Sequence, residues 1–337
     1  MPSPFTEFLA RHFDQINDYL ATFFDGQASS TDIERYLYGP LSAFTQNAGK
    51  RHRPLICMLA ATAVGGTFES ARSAAAAIEH FQSGALIHDD IADNGQVRRG
   101  KPCLHLTEGV GPAINCGDLA LIMVTKTVLD DDTLEDSVKL RVLHELTEMT
   151  VRTIEGQALD LGWVRDGRFD ISVEDYLDMA THKTAFYSGA TPLACGAIIG
   201  GGSEEQIEAL RTFGLNTGLA FQIQDDLLNL IDDADAHNKD FRTDITEGKR
   251  TLVAVHALAD ERFHDEVEAI LSSGTADPAR LERAVQIFEE TGSIEYARSY
   301  ALELTAKAKA ALAGVELEPH AHDLFLSMAD FFVERLN

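Results

Sequence analysis

The feature that most narrows what this chain can fold into is the spacing of its apolar residues. They recur every three or four positions through almost every long segment, Ala and Leu are abundant, and the alternation of half-buried strands is nearly absent. A chain written in that period buries its core by packing helix on helix, so the expected fold class is all-α. The breaks between segments are short: Gly65-Gly66, Gly100-Lys101-Pro102, the loop Asp130 to Thr133, and Gly200-Gly201-Gly202. None is a linker and no internal repeat is visible, so residues 1–337 are read as a single all-helical domain.

Charge then restricts the partners. With 54 Asp plus Glu against 28 Lys plus Arg, the formal charge is −26, a field that repels nucleic acid and anionic membrane surfaces. A phosphate-bearing ligand therefore needs a local basic pocket or bound cations. No uninterrupted run of 18 apolar residues occurs, and the N-terminus (MPSPFTEFLARHFDQ) has neither a basic nor an apolar signal region. A cytoplasmic protein with no transmembrane segment is expected. Cys57, Cys103, Cys116 and Cys195 form no CxxC pair and are read as reduced packing residues.

Two helices stand out. One runs from about Ser70 through the alanine block Ala74 to Ala77 and on to Asp93, where Asn94-Gly95 stops it, a span of roughly 35 Å. The other opens with Ser203 and Gln206 at capping-box spacing and continues to about Ile231. Both end in acidic residues, although the carbonyl end of a helix favours cations. Something positive is expected at each end.

The acidic ends are Asp89-Asp90-Ile91-Ala92-Asp93 and Asp225-Asp226-Leu227-Leu228-Asn229. Positions four apart share a helix face, so the outer carboxylates of the first cluster repel unless a cation sits between them. Oxygen ligands so spaced suit Mg²⁺, which keeps water and is shared with substrate phosphate; neither cluster has the spacing of a calcium loop. Asp130-Asp131-Asp132 and Asp232-Asp233, in polar turn-like stretches, are read as solvated surface. Ten of the 28 basic residues fall in three short stretches: Lys50, Arg51 and Arg53; Arg98, Arg99 and Lys101; Lys239, Arg242, Lys249 and Arg250. Guanidinium on one side and carboxylate with Mg²⁺ on the other describe a diphosphate clamp. Lys183-Thr184 lies in a helix that opens near Ser172 and meets Pro192, which should kink or break a turn and expose carbonyls. Such carbonyls, with the Thr184 hydroxyl and the Gln222 amide, can stabilise a carbocation without capturing it.

In this arrangement the chain resembles the trans-isoprenyl diphosphate synthases, the farnesyl and geranylgeranyl diphosphate synthase family, over essentially its whole length. The resemblance rests on GKRHRP (Gly49 to Pro54), HDDIADNGQVRRGKP (His88 to Pro102), Gly156-Gln157, Lys183-Thr184, FQIQDDLLN (Phe221 to Asn229) and KDFRTDITEGKRT (Lys239 to Thr251), in the family's order. It implies a helical bundle around a deep central cavity, usually a homodimer, that joins isopentenyl diphosphate head-to-tail to an allylic diphosphate with three Mg²⁺. The metal carboxylates would be Asp89, Asp90, Asp93, Asp225 and Asp226, with Asp89, Asp93 and Asp225 on the ions and Asp90, Asp226 and Asp244 near them. Lys50, Arg53, Gln82 and Arg99 would hold isopentenyl diphosphate, while Arg98, Lys183, Lys239 and Lys249 would grip the allylic diphosphate. Lys183, Thr184 and Gln222 are the residues expected at the reacting centre, Thr184 and Gln222 facing the cation. The released diphosphate would take the proton.

Two positions depart from the family's commonest pattern. Asn229 replaces the last Asp of the second motif, at a place peripheral to the metals, and Gln82 stands where many relatives carry His. Product length follows from the family's blocking rule, in which a bulky side chain four or five places before the first Asp stops the growing chain. Those places hold Ala85 and Gly84, and the next large side chain is Phe81, one turn deeper, about 5 Å or one isoprene unit. A linear product of about C20 to C25 is expected. A terpene cyclase is disfavoured because GKRHRP supplies a second diphosphate site and no NDxxSxxxE-like motif is present. A non-catalytic partner subunit is disfavoured because the Asp and Arg residues are retained.

Overall fold

The computed structural model describes residues 2–47, 49–231 and 242–333. The all-α expectation is met. The helices used below are α1 (Pro4–Thr22), α2 (His52–Ala63), α3 (Arg72–Ala92), α4 (Val110–Leu129), α5 (Asp136–Arg165), α6 (Val173–Ala180), α7 (Thr191–Ile199), α8 (Glu204–Ile231) and α9 (Leu252–Leu258). A π-helical stretch, Thr181–Ala190, joins α6 to α7. By backbone contacts the chain divides into two compact units, each assembled from three separated stretches. The first comprises Met1–Thr150, Thr191–Arg211 and Gly314–Ser327; the second comprises Val151–Ala190, Thr212–Ala313 and Met328–Asn337.

Local chemistry explains the helix starts. Ser3 caps α1, its hydroxyl accepting from the Thr6 amide at 3.2 Å, with Pro4 pre-set for the first turn. At α6 a full capping box forms: the Asp175 amide donates to Ser172 Oγ at 3.1 Å, and the Ser172 amide to Asp175 Oδ2 at 2.9 Å. The box expected at Ser203 and Gln206 also forms, at 3.2 and 2.8 Å. Near Pro192 the chain does not break. It widens into π-helical turns over the ten residues before α7 and then resumes as α-helix, a known response to a proline that cannot donate its amide to the turn behind it.

In the first unit, α3 is the core helix. Residues 73–84 are buried without interruption, the polar Glu79, His80 and Gln82 among them. Small residues set its contact with α4: a Cβ added at Gly84 would come within 3.0 Å of the Gly117 carbonyl oxygen and 3.1 Å of the Leu121 side chain. A Cβ at Gly117 would strike the His88 ring. A Cβ at Gly196 would collide with the Cys57 carbonyl, so α7 touches α2 as closely. All four cysteines are buried and free, as expected of packing residues. By length and composition α4 is the one described helix able to cross a membrane, but its inner side is a core face against α3.

One element departs from pure helix. Val97–Arg98 pairs antiparallel with Lys101–Pro102. The two residues between them, Arg99 at φ +53° and Gly100 at φ +78°, have the double positive φ of a tight hairpin turn. The second unit has its own core, built from Trp163, Tyr176, Ile223, Leu227, Leu252 and Phe288 among others.

Candidate active site

In the first unit the acidic end of α3 meets the hairpin. Asp93 is the C-cap of α3, its amide donating to the Asp89 carbonyl at 2.9 Å. Asp90 is only 2% exposed. Arg98 Nε donates to Asp90 Oδ1 at 2.7 Å, a second guanidinium nitrogen lies 2.5 Å from the same oxygen, and Asp89 Oδ2 is 3.7 Å away. The cation expected at this helix end is therefore Arg98. Burial opposes its charge, but the bond and the attraction of Asp90, then of Asp89, raise its pKa further. Asp90 thus serves Arg98 directly, in keeping with a place beside the expected metal carboxylates rather than among them.

The basic stretches come together around Arg99. Its Nη1 donates to the Asn47 carbonyl at 2.8 Å, and its guanidinium lies across Gly49, where an added Cβ would approach Nη2 to 2.8 Å. A side chain at position 49 would push it aside. Burial lowers the Arg99 pKa, and after the opposing pull of Glu79, repulsion from Arg51, Arg53 and Arg98 lowers it further. Four guanidinium groups gather here, two of them paired to carboxylates, Arg98 to Asp90 and Arg51 to Glu79. They are not equivalent: Arg51, in the left-handed region at φ +52°, turns inward to an ion pair with Glu79 of α3 and to the Thr45 carbonyl. It ties the GKRHRP turn to the core. Lys50 is exposed, and Arg53 and Gln82 are buried.

In the second unit Asp225 is half-buried and Asp226 is 6% exposed. Tyr176 donates its hydroxyl to Asp226 Oδ2 at 2.8 Å, and Gln222 Nε2 donates to Asp226 Oδ1 at 2.6 Å. The Thr184 hydroxyl donates to Gln222 Oε1, also at 2.6 Å. A continuous hydrogen-bond chain joins Thr184, Gln222, Asp226 and Tyr176. Burial pushes the Asp226 carboxyl up to about 7, with the two donors offsetting only part of the effect. Asp226, like Asp90, is buried and hydrogen-bonded to side chains of the protein. Burial also raises Asp244, helped by Asp226 and Glu247. Asn229 clasps the following turn: its amide donates to Thr243 Oγ1 at 2.9 Å, and its oxygen accepts from the Asp244 amide at 3.2 Å.

Beside this chain lies a cavity of about 70 Å³ lined by Asp160, Tyr176, Lys183, Thr184, Gln222 and Lys249, among others. Lys183 and Lys249 both donate to Asp160 Oδ2, at 2.5 and 3.2 Å. Glycines bring the π-helix this close: a Cβ at Gly156 would collide with the Lys183 backbone, and one at Gly218 would reach the Ala185 Cα at 2.8 Å. Arg250, by contrast, is spent on the carbonyls of Arg168, Trp163 and Gly248. Lys239, Asp232 and Asp233 lie outside the described residues.

Three residues of this site were not singled out by pattern. Tyr176 comes from a helix with no motif of its own, and Asp160 lies just past the Gly156-Gln157 pair on α5. A carboxylate four residues after Gly156, in the otherwise apolar run Ala158 to Trp163, was the available signal for Asp160. Glu79 lay inside an alanine-rich core helix. Of the expected length residues, Phe81 is 2% exposed and Ala85 half-buried, but Gly84 makes no room for a chain because the α4 backbone occupies that side. Among the described residues no three His, Cys, Asp or Glu side chains converge to hold a metal by themselves. That donor set fits Mg²⁺ held by one or two carboxylates, with phosphate and water completing its shell.

An all-helical chain that pairs acidic helix ends with basic side chains in each of two units defines the isoprenoid synthase class of fold. The chain belongs to the polyprenyl synthetase family, whose model matches residues 34–288, and is a prenyltransferase. It is 38% identical over 317 residues to the geranylfarnesyl diphosphate synthase of Natronomonas pharaonis, covering 89% of this chain and 90% of that one. The crystal structure of geranylgeranyl pyrophosphate synthetase from Pyrococcus horikoshii Ot3 matches with a TM-score of 0.88 at 32% identity, over 98% of both chains. That of geranylgeranyl pyrophosphate synthase from Corynebacterium glutamicum, complexed with isoprenyl diphosphate and magnesium, matches with a TM-score of 0.85 at 29% identity, over 99% of both.

Proposed function

We propose that the enzyme condenses isopentenyl diphosphate with dimethylallyl, geranyl or farnesyl diphosphate to give a linear all-trans product of about C20 to C25. The observation that carries this reading is the presence of two separate basic sites, the guanidinium cluster of the first unit and the lysine pair of the second. A cyclase handles one diphosphate; a chain-elongating enzyme handles two. The relatives named above make products of that size class by their names, which supports the length.

Mg²⁺, three per site, would be held by Asp89, Asp93 and Asp225, and would neutralise the departing diphosphate. Lys50, Arg53, Gln82 and Arg99 hold isopentenyl diphosphate; Arg98, Lys183, Lys239 and Lys249 hold the allylic diphosphate. Thr184 and Gln222 present oxygen to the allylic cation, and the Gln222 orientation is set by its bond to Asp226. These neutral oxygens stabilise positive charge without the lone-pair attack a carboxylate would make. Phe81 closes the chain path. The enzyme acts in the cytoplasm as a homodimer. Val110, Ile114, Ile122 and Leu129, 51, 42, 65 and 52% exposed along one side of α4, supply an apolar surface for the second copy.

The test is incubation of the purified enzyme with Mg²⁺, labelled isopentenyl diphosphate and each acceptor, followed by chromatography of the dephosphorylated products. Linear alcohols of C20 to C25 are expected, and no elongation from folded protein overturns the reading. Phe81→Ala, at a folding cost of about 3 kcal/mol for an emptied core site, should lengthen the products; an unchanged profile removes Phe81 as the floor. Sedimentation should give twice the chain mass.

A further inference from the structure

The lysine pair has an organiser that no motif marks. Lys183 comes from the π-helix and Lys249 from the turn before α9, yet both ammonium groups converge on a single oxygen, Oδ2 of Asp160 on α5. Asp160 is 4% exposed. Burial by itself would raise its pKa, but the attraction of Lys183 and then Lys249 outweighs it and holds the carboxyl below its usual range. Two ammonium groups repel at such spacing; Glu247 lies 3.7 Å from Lys249, but Asp160 is the carboxylate that both reach.

We propose that Asp160 is the positioning residue for the allylic diphosphate site: its carboxylate holds Lys183 and Lys249 at the spacing that grips a diphosphate. The inference rests on the reading of those lysines given above. An ammonium carries three donors, so the bond to Asp160 does not consume it. The carboxylate does not touch substrate; it sets where two cations stand before substrate arrives, and removes from binding the cost of bringing like charges together. Gly156, one helical turn earlier on α5, is part of the same device. Its missing side chain lets the Lys183 backbone pack against the helix that carries Asp160.

Steady-state kinetics on Asp160→Asn tests this. The amide keeps the shape and removes the charge, so the KM for the allylic diphosphate should rise by roughly ten- to a hundredfold, the range of one charge-assisted hydrogen bond. The KM for isopentenyl diphosphate should change less than about twofold. Asp160→Glu, which keeps the charge on a longer arm, should recover part of the loss, and serves alone if the Asn variant fails to fold. In a Lys183→Met, Lys249→Met background, Asp160→Asn should add almost nothing, because its effect passes through those lysines. An unchanged allylic KM in folded Asp160→Asn, a Glu variant no better than Asn, or losses that multiply in the triple variant overturns the proposal. If the lysine variants themselves leave the allylic KM unchanged, the clamp reading fails first and takes the proposal with it.

Discussion

The two acidic helix ends have nearly the same sequence and opposite electrostatics. In both, the second Asp is buried while the first is half-buried. Asp90 is neutralised by the Arg98 guanidinium, a cation delivered by a two-residue hairpin. Asp226 is instead satisfied by a phenol and an amide, and its carboxyl rises to about 7. The same Asp-Asp pair thus meets a guanidinium in one unit and a phenol and an amide in the other. What differs is the element folded over it. A motif specifies which face an Asp occupies, not which partner covers that face.

The strongest way to break the comparison is at the outer carboxylates, which should behave alike. Asp89→Ala and Asp225→Ala should each lower kcat/KM by about 10²- to 10³-fold, measured at saturating Mg²⁺. A large loss in only one would show that the motifs do not share the metal work.

The inner residues should behave differently. Arg98→Gln leaves Asp90 buried without its cation and should cost about 2 kcal/mol, less than a fully buried pair because Arg98 is a third exposed. Asp90→Asn added to it should restore the denaturation midpoint but not the activity. Tyr176→Phe removes one neutral donor from Asp226 and should cost only about 1 kcal/mol. Equal costs in urea titrations would erase the distinction.

Acid–base behaviour sharpens the same contrast. The folded pKa of Asp226 is raised from 3.8 to about 7, so the native state holds the proton more tightly than the unfolded chain. Its contribution to stability is complete below 3.8 and is lost as pH rises through about 7. In chelator-treated protein, stability should therefore fall across that window, and Asp226→Asn should flatten the fall. The smallest effect is expected for Asn229→Asp. Thr243 can still donate to a carboxylate there, so kcat/KM should drop by less than about threefold. A much larger loss would place position 229 on the metals.

Much of this protein was legible from residue order. Period and capping located α3, α6 and α8 within a residue or two, because helix geometry is local and Ser203 with Gln206 caps whatever follows. Spacing placed Asp89 with Asp93 and grouped the basic residues, again because four residues make one turn. Lys239 falls outside the described residues and stays with the motif reading. Gly84 was misread because small size signals room only if nothing else fills it, and the α4 backbone does.

What the chain order alone determined, then, is the class of chemistry: helices, carboxylates at their ends, and enough clustered cations to bind diphosphate. Only the tertiary structure decided which of those charges are working groups and which are supports. Arg51 belongs to the same basic stretch as Lys50 and Arg53 but is bound to Glu79, while Asp160 lies outside the quoted motifs and contacts two lysines from distant segments. The reason is physical. A charge's role depends on its nearest partners and on its exclusion from water, and both are set by contacts between residues far apart in the chain.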